Sequence, residues 1–511
     1  MPRSKLAACV TPAALAAAGA AGAAGNVVTA VPAHAAPAPA PSSAAGRYAG
    51  PELKLIPAQD SISASGFPVK PKSKKVFVYV DPGIWLASLG SPLQFDVGRT
   101  SYAKPLTITQ IIAGPGQSRV ARRLPASVLD GWNGLKDMVN ITVRDSAGKV
   151  VGWEPVTVCP ASFDAERATA DSPDNSPYPQ SCGAFDPFPV GGVWGIAKGW
   201  AIDPAEQGGG RTFTLTIGST YRVTETISPR YARLFHVAAR NAAASVKLTV
   251  VPFAGPPGPA KPRAGTLPAL PAVPYLTNPP KSVLPDLVAL PAWGMSTFST
   301  GKSTSTHDWL NFSATVWVGG NGPLDVEAFR SGGSPVMPAY QYFYQNGKVI
   351  GRVRAGTMGF NSGKGHDHWH FQQFAEYRLL SAGKQVVVRS QKVGFCIAPT
   401  DAVDMLLPRA VWAPQFTGFG QCGSPTALWV REMMPVGWGD TYQQFLAGQA
   451  FDVTGLPNGT YFVQVIANPE HLLRETRYGN DTSLRKIILS GTKGHRHVTV
   501  PAWNGIDPEK G

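Results

Sequence analysis

Apolar and polar residues alternate with a period of two along much of this chain, in short runs broken by glycine and proline. "KVFVYV" (75–80), "NITVRD" (140–145), "VGWEPVTV" (151–158), "TFTLTIGSTYRVTE" (212–225) and "SVKLTVV" (245–251) each carry this alternation. It predicts half-buried strands rich in β-branched and aromatic residues. The pattern returns in "LNFSATVWV" (310–318), "YQYFYQNGKVIGRVR" (340–354), "KQVVVRSQKVGF" (384–395) and "GTYFVQVIA" (459–467). Asn346-Gly347 in the second of these is a dipeptide that favours a tight hairpin turn. The pattern therefore predicts an all-β fold of two β-sandwich-like domains.

Composition sets the boundaries. Glycine (55) and proline (48) make up about a fifth of the 511 residues, as a chain with many turns requires. Proline is densest over residues 254–282, which predicts a semi-rigid linker between an N-terminal β domain (53–253) and a second domain (283–505). Residues 1–35 open with Arg3 and Lys5, continue through an Ala-rich uncharged stretch and end at Ala33-His34-Ala35. This is the pattern of a secretory signal peptide, followed by a flexible leader over 36–52. Cleavage would lower the formal charge from +14 to +12 and leave a secreted chain without a membrane span. Four cysteines would remain, Cys159, Cys182, Cys396 and Cys422, as two local pairs suited to two disulfides in an oxidising compartment. The positive charge is dispersed, with no aromatic-basic motif, so no nucleic-acid partner is expected. Anionic cell-wall polymers are the partners that charge alone would favour.

One short segment carries candidate chemistry. "GHDHWHFQQF" (365–374) places His366, His368 and His370 at alternate positions, hence on one face of an extended strand. Three imidazoles on one face can bind one ion and leave positions open for oxygen or water, and imidazole ligation suits copper, zinc or iron.

The remaining motifs favour copper. "PDLV" (285–288), "HDHWHF" (366–371), "QKVGFC" (391–396), "GWGDTY" (437–442) and "LPNGTYFVQVIANPEHLLRETRYGND" (456–481) follow one another in an order and spacing that resemble the catalytic domain of the lysyl oxidase family. The resemblance implies copper on His366, His368 and His370, and a lysine tyrosylquinone built from Lys392 and Tyr442. It also implies oxidation of a primary amine, either peptidyl lysine or a small amine, by dioxygen to an aldehyde, ammonia and hydrogen peroxide. Asp440, two residues before Tyr442, is the candidate general base; its alternative role is a turn residue that satisfies backbone amides. Cys396 and Cys422 match a disulfide of the family.

Two departures bear on the chemistry. The family's animal members carry Trp-His-x-Cys before the imidazole run, where this chain has "NSGKG". Their calcium ligands are matched in position or type by Asp286, Glu475, Asn480 and Asp481, but Arg477 replaces a central aspartate. A guanidinium there would repel calcium and could pair with the surrounding carboxylates. A cupin-type oxygenase and a zinc hydrolase are competing classes, but the spacing to Glu376 is too long for the first and no second histidine motif follows. The principal alternative is an exported copper-binding or wall-binding β-protein that makes no quinone.

Overall fold

A computed structural model describes residues 50–510 except 71, 114–118, 170–171, 174, 208–210, 253–272, 302–304, 330–335, 362–367, 391, 393, 415–421, 424–426 and 428. The expected signal peptide, residues 36–49 of the expected leader and most of the expected linker lie outside the described residues. So does His366.

The fold is all-β, and its strands form where the alternation predicts them. Lys75–Val80 buries Val76, Val78 and Val80 and exposes Phe77 and Tyr79. The run at 212–225 breaks at Gly218, whose φ of +79° suits glycine. Its two parts, Arg211–Thr216 and Thr220–Ile227, then join different neighbours. Val336–Gln345 and Lys348–Asn361 form the expected hairpin, with Asn346 and Gly347 both at positive φ. Residues up to Val251 build sheets of four, four and seven strands, and residues from Pro285 onward build sheets of six, six and five. Among the described residues no helix is long and apolar enough to cross a membrane.

Each sheet draws its strands from one half of the chain, yet the halves are packed together. The Val190 amide donates to the Val403 carbonyl at 2.9 Å and the Met405 amide to the Gly191 carbonyl at 2.8 Å. Beside this seam the Phe188 ring stands edge-on to Tyr102 and Trp503, at centroid distances of 6.0 and 5.5 Å. Leu290, Trp317 and Val403 complete that apolar cluster. The seam lies behind the strand Trp438–Tyr442, which pairs with His307–Gly320 on one side and Asp401–Ala402 on the other.

Candidate active site

The strand Trp438–Tyr442 is buried along its whole length. Its register sets Ala314 against Tyr442, Thr315 against Thr441 and Val316 against Asp440. Period-two geometry then sends Asp440 and Tyr442 to one face and Thr441 to the other. Asp440 is a strand residue rather than a turn residue, and the backbone amide that it meets is that of Ala398.

Lys392 approaches the first face. Its stem lies against Gly448, where an added Cβ would sit 3.1 Å from the Lys392 Cβ. Only 7% of Lys392 is exposed. Its Nζ lies 4.2 Å from the Tyr442 ring centroid and 4.9 Å from that of Phe395. Burial lowers the Lys392 ammonium to about 8, while the Asp440 carboxylate opposes that shift. A large fraction of the amine is therefore neutral near pH 8, where an exposed lysine is almost wholly protonated.

The phenol is held from its far end. Tyr442 Oη accepts the Cys396 amide at 2.6 Å and donates to the Cys396 carbonyl at 3.2 Å. Phe395 stands edge-on to the ring at 5.0 Å. Burial, then the Asp440 charge, raises the phenol well above its ordinary range. Asp440 is itself raised by burial, with Lys392 opposing, and the Ala398 amide faces it. Neither Asp440 carboxylate oxygen makes a hydrogen bond of normal geometry among the described residues. A buried carboxyl that faces one backbone amide and the Lys392 ammonium, with no hydrogen bond of good geometry to hold it, is available to exchange a proton.

The imidazole strand, His368–Gln372, pairs with Gly394–Phe395 and so lies beside the lysine segment. Gly394 permits this contact: a Cβ there would stand 3.0 Å from the His370 Cβ and 3.2 Å from its Nδ1. His368 and His370 share a face, with their Nε2 atoms 3.0 Å apart. Trp369 points the other way and is buried against Phe360, ring to ring at 5.4 Å. The two imidazole nitrogens converge as ligands of one soft or borderline ion would. Among the described residues no group of three potential ligands forms, and His366, the third expected ligand, is not among them.

Glu432 was not singled out from the sequence, and it belongs here. One carboxylate oxygen accepts the Ile397 amide at 2.9 Å, and its charge bears on Tyr442. In the strand Trp429–Met434 the buried phase is Val430, Glu432, Met434. A carboxylate in an apolar phase is the signal that could have found it.

Both disulfides are present, Cys159 to Cys182 and Cys396 to Cys422. The second fixes the residue whose backbone grips the phenol.

A second carboxylate cluster gathers Asp286, Glu475, Asn480 and Asp481. Arg477 is already there, with its Nε 3.0 Å and its Nη2 2.9 Å from Asp286 Oδ2. Asn480 and Thr476 also donate to Asp286, at 3.1 Å each. Burial pushes Glu475 up to about 8 and Asp481 to about 7, with neighbouring carboxylates adding to each shift. With a guanidinium on Asp286, the set does not fit a calcium ion, which takes six to eight oxygens and would be repelled by that cation while losing Asp286 as a free ligand. Calcium added to protein treated with EGTA should leave the melting temperature unchanged; a rise of several degrees would show that the cluster takes the ion after all.

A cleft of about 750 Å³ lies near the seam, lined by Tyr178, Trp200 and Ala413 among others. Neither Lys392 nor Tyr442 borders it, so it is no part of this site.

Fold and site together define an all-β domain whose buried lysine meets a buried tyrosine beside a strand of imidazoles. Residues 347–498 match the family model for lysyl oxidase, and this stretch of the chain is similar to the lysyl oxidase family. Lysyl oxidase homolog 4 of Homo sapiens is 27% identical over 139 residues, which is 27% of this chain and 16% of that protein. Lysyl oxidase homolog 2A of Danio rerio is 30% identical over 127 residues, 25% of this chain and 15% of that protein. The chain thus spans about a sixth of the length of the curated relatives it matches.

Proposed function

We propose that this protein is an exported, copper-dependent amine oxidase of lysyl oxidase type. It would deaminate primary amines, peptidyl lysine or small amines, to aldehydes with release of ammonia and hydrogen peroxide. Its organic cofactor would be a quinone built from Lys392 and Tyr442. The observation that carries this reading is the Lys392 Nζ over the Tyr442 ring at 4.2 Å, both side chains buried and fifty positions apart in sequence.

Copper on His368 and His370, with His366 as the third ligand, would supply one-electron chemistry with dioxygen. The chain's own residues do the rest. Lys392 presents a neutral amine because burial disfavours its charge. The Cys396 backbone orients the phenol, and Phe395 shields the ring edge from water. Asp440 accepts the α-proton of the bound amine. Export is supported by the signal-like residues 1–35 and by the two disulfides.

The test is direct. Copper-loaded protein in air should develop a visible band that phenylhydrazine titrates, and should then release peroxide on addition of benzylamine. The band should form faster as pH rises through about 8, because only the deprotonated Lys392 has a lone pair to add to the oxidised ring. Absence of any hydrazine-reactive band would favour a copper-binding β-protein without quinone chemistry, and a rate that falls with rising pH would remove Lys392 from its role.

A further inference from the structure

Thr441, between Asp440 and Tyr442, faces away from the lysine and toward the seam between the two halves. What meets it there comes from the first half of the chain. Asp186 lies between Cys182 and the strand Gly191–Ile196, yet its side chain ends among residues of the second half, and it is buried. Its Oδ1 accepts the Phe188 amide at 2.7 Å. Its Oδ2 accepts the Thr315 hydroxyl at 2.8 Å and lies 3.5 Å from the Thr441 hydroxyl.

The contact continues through a chain of hydroxyls. Thr315 and Thr441 are cross-strand partners with their Oγ1 atoms 2.7 Å apart. The Thr441 amide donates to the Thr400 hydroxyl at 2.7 Å, and that hydroxyl donates to Asp401 Oδ2 at 2.7 Å. Thr441 is thus bonded through both its side chain and its backbone. Burial, followed by the neighbouring Asp401, pushes the Asp186 carboxyl up to about 7. Two carboxyls buried this deeply are costly unless the hydroxyls between them are ordered.

We infer that Asp186 is a positioning residue: it clamps the back of the strand Trp438–Tyr442 so that the front holds Asp440 and Tyr442 against Lys392. The first half of the chain is then a working part of the active site. This inference rests on the amine-oxidase reading for its consequence in turnover, but not for the clamp itself. Cofactor assembly needs reacting atoms about 3–3.5 Å apart, and a misplacement near 1 Å can cost about a hundredfold. A strand that loses its back contact shifts the phenol and the carboxylate together.

Full-length Asp186→Ala, Asp186→Asn, Thr441→Val and Thr441→Ser proteins test this. Four quantities are read: copper content, phenylhydrazine-reactive groups per copper, kcat and KM for benzylamine, and amide hydrogen exchange of residues 438–442 in metal-free protein. Asp186→Ala and Thr441→Val should keep their copper but lose about tenfold or more in reactive groups per copper and in kcat, by the same positional argument. KM should change little, strand exchange should quicken, and Thr441→Ser should restore most of the loss. A contact that merely stabilised the fold would lower the yield of folded protein and leave the quinone titre of each folded molecule intact. That result, with wild-type exchange, overturns the inference; should Asp186→Ala not fold, Thr441→Val and Asp186→Asn decide it. If wild-type protein makes no quinone, the amine-oxidase reading fails by itself, and the exchange arm still accepts or rejects the clamp.

Discussion

A Tyr442→Phe protein is expected to bind copper as the wild type does and to oxidise no amine. The substitution removes one atom, the phenol oxygen, without which the ring cannot become a quinone. The ring remains beside Phe395 and under Lys392, so packing changes little. One cost is local: the Cys396 amide loses its 2.6 Å acceptor. An unsatisfied buried donor costs about 1–3 kcal/mol, enough to lower the melting temperature by a few degrees and not enough to unfold the protein. Metal analysis, the visible spectrum and peroxide release check the three parts separately. Full turnover in this variant would remove Tyr442 from the chemistry.

The second large effect is expected at Asp440. Asp440→Asn keeps the shape of the side chain and abolishes its basicity. Positioned proton acceptors typically contribute 10²–10⁴-fold, so kcat should fall by about that factor while the quinone still forms. With an α-deuterated amine the isotope effect on kcat should grow, because proton removal becomes the slow step. The Ala398 amide that faces Asp440 can still donate to the amide oxygen of an asparagine, so the change costs the fold little. Should kcat stay within about threefold of wild type, far below the range for a general base, Glu432 becomes the better candidate, since it is the other buried carboxylate that acts on Tyr442.

The strands were legible because a β-strand writes its two faces into alternate residues, as "KVFVYV" and the Asn346-Gly347 hairpin show. The shared face of His368 and His370 followed from the same rule, while His366 lies outside the described residues. Lys392 and Tyr442 were a different matter: nothing local in either segment says that they meet, and only their resemblance to known motifs joined them. Asp186 was not legible at all. Its role depends on how the two halves dock, and a single aspartate in a loop carries no period to read. Arg477 was legible as a departure, and its bond to Asp286 follows from charge complementarity at short range. The split at Gly218 was missed because strand alternation continues on both sides of a break that only the backbone angle reveals.

If the chain is an amine oxidase, the grip on the phenol bears on where peroxide can be made. Tyr442 Oη is held by the amide and carbonyl of Cys396, and Cys396 is itself tied to Cys422. In a reducing cytosol that tie would be open, leaving the phenol's anchor to wander with its loop. On the amine-oxidase reading, peroxide-generating capacity would mature only in an oxidising compartment, so that the same bond which finishes the fold would also arm the catalyst.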